Sequence, residues 1–156
     1  MREILFKAKR KDNGKWVEGY YIYHIKRTIC PLGDSVKPED EQHVIMQDGF
    51  SDWNMPRNTV VYEINPDTIC QYTGLTDKNG KKIWENDIVK NKKRTEGFDW
   101  YKVVWRKDFA DFGVEPIKPK FEAKYPMGLS DELTIYGRDY EVVGNVFDNP
   151  ELLEVE

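Results

Sequence analysis

The stretch from Ile69 to Val89 constrains the fold of this chain more than any other. Two short apolar runs, one around Ile69, Cys70 and Tyr72 and one around Ile83 and Trp84, are wrapped around turn residues. Asn79-Gly80 is a dipeptide suited to positive φ, and Asn86-Asp87 marks a second tight turn before Ile88-Val89. Such a pattern specifies hairpins. It carries no nucleophile arrangement, metal cluster or phosphate loop, so it reads as a fold-specifying element and not as a chemical site.

The rest of the chain has the same period. Phe6 and Ala8 alternate with Lys7 and Lys9, the signature of a half-buried strand. Asn13-Gly14 follows, and then a run from Trp16 through Tyr20, Tyr21, Ile22, Tyr23 and Ile25, which together predict a β-hairpin. Between Cys30 and Pro56 only His43–Met46 reads as ordered, among prolines, glycines and acids. Residues 60–64 and 69–73 are further predicted strands. Trp100 to Trp105 is apolar on both faces, which predicts a strand covered on both sides. The prolines and glycines of residues 109–130 mark a variable or mobile insert, Tyr140–Phe147 a last strand, and Asn149–Leu153 a helical turn. No window supports an amphipathic helix of ten residues, so the expected fold class is mainly β.

At 156 residues the chain is long enough for one domain with a proper core. Aliphatic runs are short, but 13% of residues are aromatic, and these bury large areas per side chain. The formal net charge of −4 counts against general affinity for nucleic acid or anionic membrane. The two cysteines, Cys30 and Cys70, lack metal-binding spacing and read as reduced thiols. No stretch approaches the ~18 apolar residues of a membrane span, and the N-terminus has no signal-peptide pattern, so a cytoplasmic protein is expected.

Three blocks give the chain a resemblance to the YopX protein family, small proteins encoded by phages and prophages of bacteria. The first is Phe6-Lys7-Ala8 with Trp16-Val17-Glu18-Gly19. The second runs from Tyr62 to Val89, through Gln71–Leu75 and Asp77–Lys81 into Glu85–Val89. The third is Val143–Leu153. The family usually has glycine at the place of Asn86, and Asn is the other residue that best tolerates the left-handed region. The resemblance implies a single domain over residues 1–156, with lobes of about 1–65 and 66–156 as its internal division. It implies coiled, partly barrel-like antiparallel sheets, self-association, and residence in the cytoplasm of a bacterial host. It supplies no catalytic residues.

The residues themselves offer little chemistry. His24 and His43 are the only histidines, and no ligand cluster surrounds either, so no metal or cofactor is expected. Glu85 with Asp87 and Asp139 with Glu141 are i, i+2 pairs whose carboxylates would share a strand face. Solvated edges or turn caps account for them more simply than acid–base work, and Asp87 is expected to accept turn amides. Ser35, Ser51 and Ser130 lack a nucleophile context. The strongest patch is basic: Lys90, Lys92, Lys93 and Arg94, with Trp100 and Tyr101 following. Cations beside aromatics suit a single-stranded nucleic-acid groove, although Glu96 and Asp99 interrupt the run and edge lysines also guard sheets against aggregation. Trp16, Tyr20, Tyr21 and Tyr23 suit either sheet packing or a protein interface. The sequence therefore predicts a non-enzymatic accessory protein that works through contacts with itself or with a phage or host protein, without a membrane. Nucleic-acid binding through the basic cluster is the alternative.

Overall fold

The structure is a computed structural model that describes residues 3–30, 32–92, 98–117, 127–128 and 140–154. It is mainly β, and its described residues divide into two compact units, one ending at Gln71 and one beginning at Tyr72.

In the N-terminal unit, β1 (Phe6–Lys9), β2 (Trp16–Ile25), β3 (Glu41–Asp48) and β4 (Thr59–Glu63) form an antiparallel meander in spatial order β4-β3-β2-β1. Alternation sets its faces. Ala8, Val17, Ile45 and Ile64 form the buried core, with Phe6, Tyr21, Tyr62 and Ile69 packed on it. The register puts Tyr20↔Met46↔Val61 and Ile22↔Val44↔Glu63 on the opposite, outer face, away from the intervening Tyr21, Ile45 and Tyr62. The sheet curls. A single bridge, Arg10↔Ile64, and a bond from the Lys11 amide to the Glu63 carbonyl at 3.0 Å join its two ends at one corner. It does not close into a barrel.

Gly19 belongs to this sheet for a steric reason. A Cβ at that position would overlap the Met46 carbonyl oxygen of β3, so only glycine lets the two strands pair there.

Strand β5 (Cys70–Thr76) serves both units: Gln71 and Cys70 pair with β1, while Tyr72 and Thr76 pair with β6 (Lys82–Trp84). The C-terminal unit continues with β7 (Asp87–Lys92), β8 (Phe98–Arg106), β9 (Asp111–Pro116), β10 (Met127–Gly128) and β11 (Glu141–Asn145), in spatial order β10-β9-β8-β7-β11. Ile83, Val89, Val103, Phe112, Val114, Tyr140 and Val142 form its core. A 3-10 turn over Pro150–Leu153 occupies the place of the expected C-terminal helical turn.

Two expectations change. Within residues 109–130, Asp111–Pro116 is a regular strand with Phe112 and Val114 buried, so this part belongs to the core, whereas residues 118–126, 129 and 130 lie outside the described residues. The prolines misled because Pro116 ends the strand instead of interrupting it. Strand β8 is also covered unevenly. Val103 is buried, but Trp100 and Val104 are half-buried and Trp105 lies open to solvent.

The two Asn-Gly turns differ. In each, glycine alone takes positive φ, +69° at Gly14 and +80° at Gly80. The first closes with Gly14 N–H on the Arg10 carbonyl, the second with Gly80 N–H on the Asp77 carbonyl, both at 3.0 Å. The first loop is one residue longer, and neither is the two-residue turn in which Asn would also cross to positive φ.

Candidate functional site

The turn-rich stretch is held by its own acids. The buried Asp77 carboxylate accepts the Asn79 and Lys81 amides at 2.8 and 2.9 Å on one oxygen and the Val142 amide at 3.1 Å on the other. Burial alone would raise its pKa. The Val142, Lys81 and Asn79 amides, with the Lys81 charge, outweigh it and hold the carboxyl below its ordinary value. Asp87, 1% exposed, accepts the Trp84 amide at 2.9 Å, as its expected turn-capping role requires. Asn86 between them has φ +64°. Its amide donates to the Val103 carbonyl at 2.9 Å and its carbonyl accepts the Val146 amide at 3.1 Å. Thr73 completes the arrangement by donating its hydroxyl to the Ile83 carbonyl at 2.8 Å. This stretch therefore ties β6, β7, β8 and β11 together.

The paired acids stand in different surroundings. Asp87 is buried while Glu85 is half-buried. Glu141 bonds Lys78 at 2.7 Å and lies 3.5 Å from Lys90, and the Lys78 bond chiefly lowers its pKa. Asp139 lies outside the described residues, as does Ser130. No group of three or more potential metal ligands occurs among the described residues. His24 is exposed, whereas His43 is half-buried with its Nδ1 2.7 Å from the Tyr21 hydroxyl. Cys30 is exposed and Cys70 buried, and no disulfide joins them.

The basic cluster is only partly brought together. Lys90 lies directly across from Trp100 in the β7–β8 register, so the two share a face. Lys92 pairs with Phe98 along the backbone. Lys93 and Arg94 lie outside the described residues. Tyr101 is opposite Val89 and packs edge-on against Tyr140, at 5.9 Å between ring centroids, on the core side. Trp100 and Tyr101 thus do not form one stacking platform. Acids alternate with bases across the Lys90 face: Glu141 beside Lys90, Glu115 across from Lys102, and Asp111 bonded to Arg106 at 2.6 Å.

The larger unsatisfied surface is in the N-terminal unit. Tyr20, Ile22, Met46 and Val61 share the outer sheet face, with Tyr20 56% and Val61 54% exposed. Trp16 on that side lies beneath the Lys7 and Lys9 ammonium groups at 5.2 and 5.5 Å. Tyr21 and Tyr23 are on the other face beside His43, so the four aromatics do not form one patch. Beyond the Asp48↔Thr59 pair, the loop of residues 49–58 presents Phe50, Trp53 and Met55 at 90, 92 and 63% exposure. The loop carries internal hydrogen bonds: Gly49 N–H to the Asn58 carbonyl at 2.6 Å, Met55 N–H to the Asp52 carbonyl at 3.1 Å, and Ser51 hydroxyl to the Met55 carbonyl at 3.0 Å. Sequence reasoning missed this loop. Its signal was three large apolar residues inside a turn-rich segment, where no core requires them.

A comparison with protein families matches residues 5–154 to the family described as YopX protein. The chain belongs to the YopX family. No curated protein matches it. A solved structure similar to it is that of protein EF1440 from Enterococcus faecalis, 23% identical, covering 98% of this chain and 99% of that one, with a TM-score of 0.48. The blocks by which the sequence resembles YopX proteins have structural explanations here. Gly19 admits the Met46 carbonyl, Asp77 and Asp87 collect amides, and Gly144 accommodates the Asn149 side chain where a Cβ would overlap it.

Proposed function

We propose that this YopX-family chain is a non-enzymatic phage or prophage accessory protein of the bacterial cytoplasm that acts by protein–protein contacts through its N-terminal unit. One observation carries the reading: Phe50, Trp53 and Met55 are largely exposed on a hydrogen-bonded loop, in the same unit as the exposed Tyr20 and Val61. Aromatic side chains so exposed contribute nothing to the core, whereas Trp and Tyr dominate binding energies once a partner desolvates them. Asp77 and Asp87 accept backbone amides and Glu141 pairs with Lys78, which supports a non-catalytic role for these acids.

The test is quantitative retention of phage and host polypeptides on immobilised protein. The wild type is expected to hold a discrete partner that the doubly substituted F50S/W53S protein loses at unchanged thermal stability. Equal retention by both proteins would overturn the reading.

Nucleic-acid binding through Lys90 and Trp100 is the second reading, supported by their cross-strand pairing. It requires an affinity that falls steeply with salt and drops on Lys90→Glu in a gel shift. The nearby Glu141 already offsets the Lys90 charge, which favours the first reading.

A further inference from the structure

The two Asn-Gly steps share a dipeptide and differ in where one amide goes. Asn13 and Asn79 are both exposed, and at both Gly14 and Gly80 the side where a Cβ would stand is open. Each glycine amide donates to a turn carbonyl at 3.0 Å, so that bond does not separate the two turns. The amide two residues after the asparagine does. In the first turn the Lys15 N–H donates to the Asn13 side-chain oxygen at 3.0 Å, an Asx turn that folds the carboxamide back toward the Gly14 peptide. In the second turn the equivalent amide, Lys81 N–H, goes to the Asp77 carboxylate at 2.9 Å, as the Asn79 N–H does at 2.8 Å. That carboxylate is buried and also holds the Val142 amide of β11. The acid of the first turn, Asp12, is exposed and pairs with Arg10.

We infer that Asn13 is a site of spontaneous covalent modification, deamidation through a cyclic imide, and that the fold protects Asn79 from it. The nucleophile is the Gly14 backbone nitrogen, released from the Arg10 carbonyl. It attacks the side-chain carbonyl carbon of Asn13 and forms a C–N bond. The bond to the side-chain nitrogen breaks, and ammonia leaves with the Gly14 amide proton. Glycine leaves the attacking nitrogen uncrowded. Negative charge develops on the Asn13 oxygen, at which the Lys15 N–H is already aimed, as a donor to a tetrahedral oxyanion must be. Water then opens the imide. Cleavage at the side-chain carbonyl gives aspartate, and cleavage at the main-chain carbonyl gives isoaspartate with one more atom in the backbone. Either product adds a negative charge next to Asp12. Aspartate offers the Lys15 amide a charged and stronger acceptor. Isoaspartate lengthens the loop that the Arg10 N–H closes on the Lys15 carbonyl at 2.9 Å, so the lesion falls on the β1–β2 hairpin. The chemistry depends on the turn alone and is independent of the contact-surface reading.

The test incubates the intact protein at mildly alkaline pH and physiological temperature, in native buffer and in concentrated urea, and follows both Asn-Gly steps by peptide mass spectrometry. In the folded protein Asn13 is expected to gain one dalton about tenfold faster than Asn79, or more. In urea, where neither turn exists, the two rates are expected to converge. Asn13→Gln is expected to abolish the first acidic species on isoelectric focusing with circular dichroism and melting temperature preserved. Equal or inverted rates in the folded protein overturn the inference, as does an Asn13 that stays intact there. An excess at Asn13 that survives in urea assigns the difference to neighbouring residues and overturns the role of the turns.

Discussion

The two units spend their polar groups in opposite ways. In the C-terminal unit, acids in the turns turn inward and collect backbone amides, as Asp77 and Asp87 do, and the charges on the Lys90 face are matched by neighbouring acids. In the N-terminal unit Asp12 of the first turn instead pairs with Arg10, and Glu63 of β4 with Lys11, while Tyr20, Val61, Phe50 and Trp53 face solvent. The family-specific stretch thus builds the self-satisfied unit, and the unsatisfied surface lies in the part the sequence marked least. A fold-specifying motif consumes its own polar groups, so recognition falls to segments that the core does not need.

The largest effect that would break this comparison is at Asp77. Replacing it by Ala strands three amides, two of them across a turn and one on β11, and is expected to cost about 4 kcal/mol in denaturant unfolding. A loss under 1 kcal/mol would mean that the turn is not what holds these strands. Asn86 is a sharper probe. Its φ of +64° makes Asn86→Val cost about 1–2 kcal/mol, while Asn86→Gly is expected to be neutral in a thermal melt.

A pH effect follows from the same carboxylate. The folded pKa of Asp77 lies below its ordinary value, so its stabilisation is complete above pH ~4 and is lost as pH falls through the folded pKa. Asp77→Asn should flatten the acid limb of a stability–pH curve, although Glu141 and Asp111, also depressed by their Lys78 and Arg106 partners, retain their share. An unchanged acid limb would remove Asp77 as a contributor. The smallest effect is expected in the other unit. Tyr20→Ser or Trp53→Ser should move stability by no more than ~0.5 kcal/mol, because neither side chain is buried. A loss of 2 kcal/mol at Trp53 would show that the loop packs in solution and would dissolve the contrast.

Much of this was legible beforehand. Alternation at Phe6 and Ala8 and at Tyr20 to Ile25 gave strands β1 and β2, and the left-handed requirement at residue 86 could be read from Asn standing where glycine is usual. Asp87 as a turn acceptor was equally readable, because a short carboxylate beside a tight turn has amides within reach. Strand β9 was obscured because Gly113 and Pro116 look like loop punctuation, and only pairing with β8 and burial of Phe112 and Val114 make it a strand. The division of Trp100 from Tyr101 needed the β7–β8 register.

What the sequence determined alone is local: which residues alternate, where φ must turn positive, and which family the motif belongs to. These depend on neighbours within a few positions. The fate of each side chain depended on the tertiary structure. Asp77 finds its third amide 65 residues away at Val142, and Val61 is left on an edge only because β1 curls back to meet Glu63 and goes no further. Such satisfaction depends on strand order and register, which long-range pairing decides and no local pattern encodes.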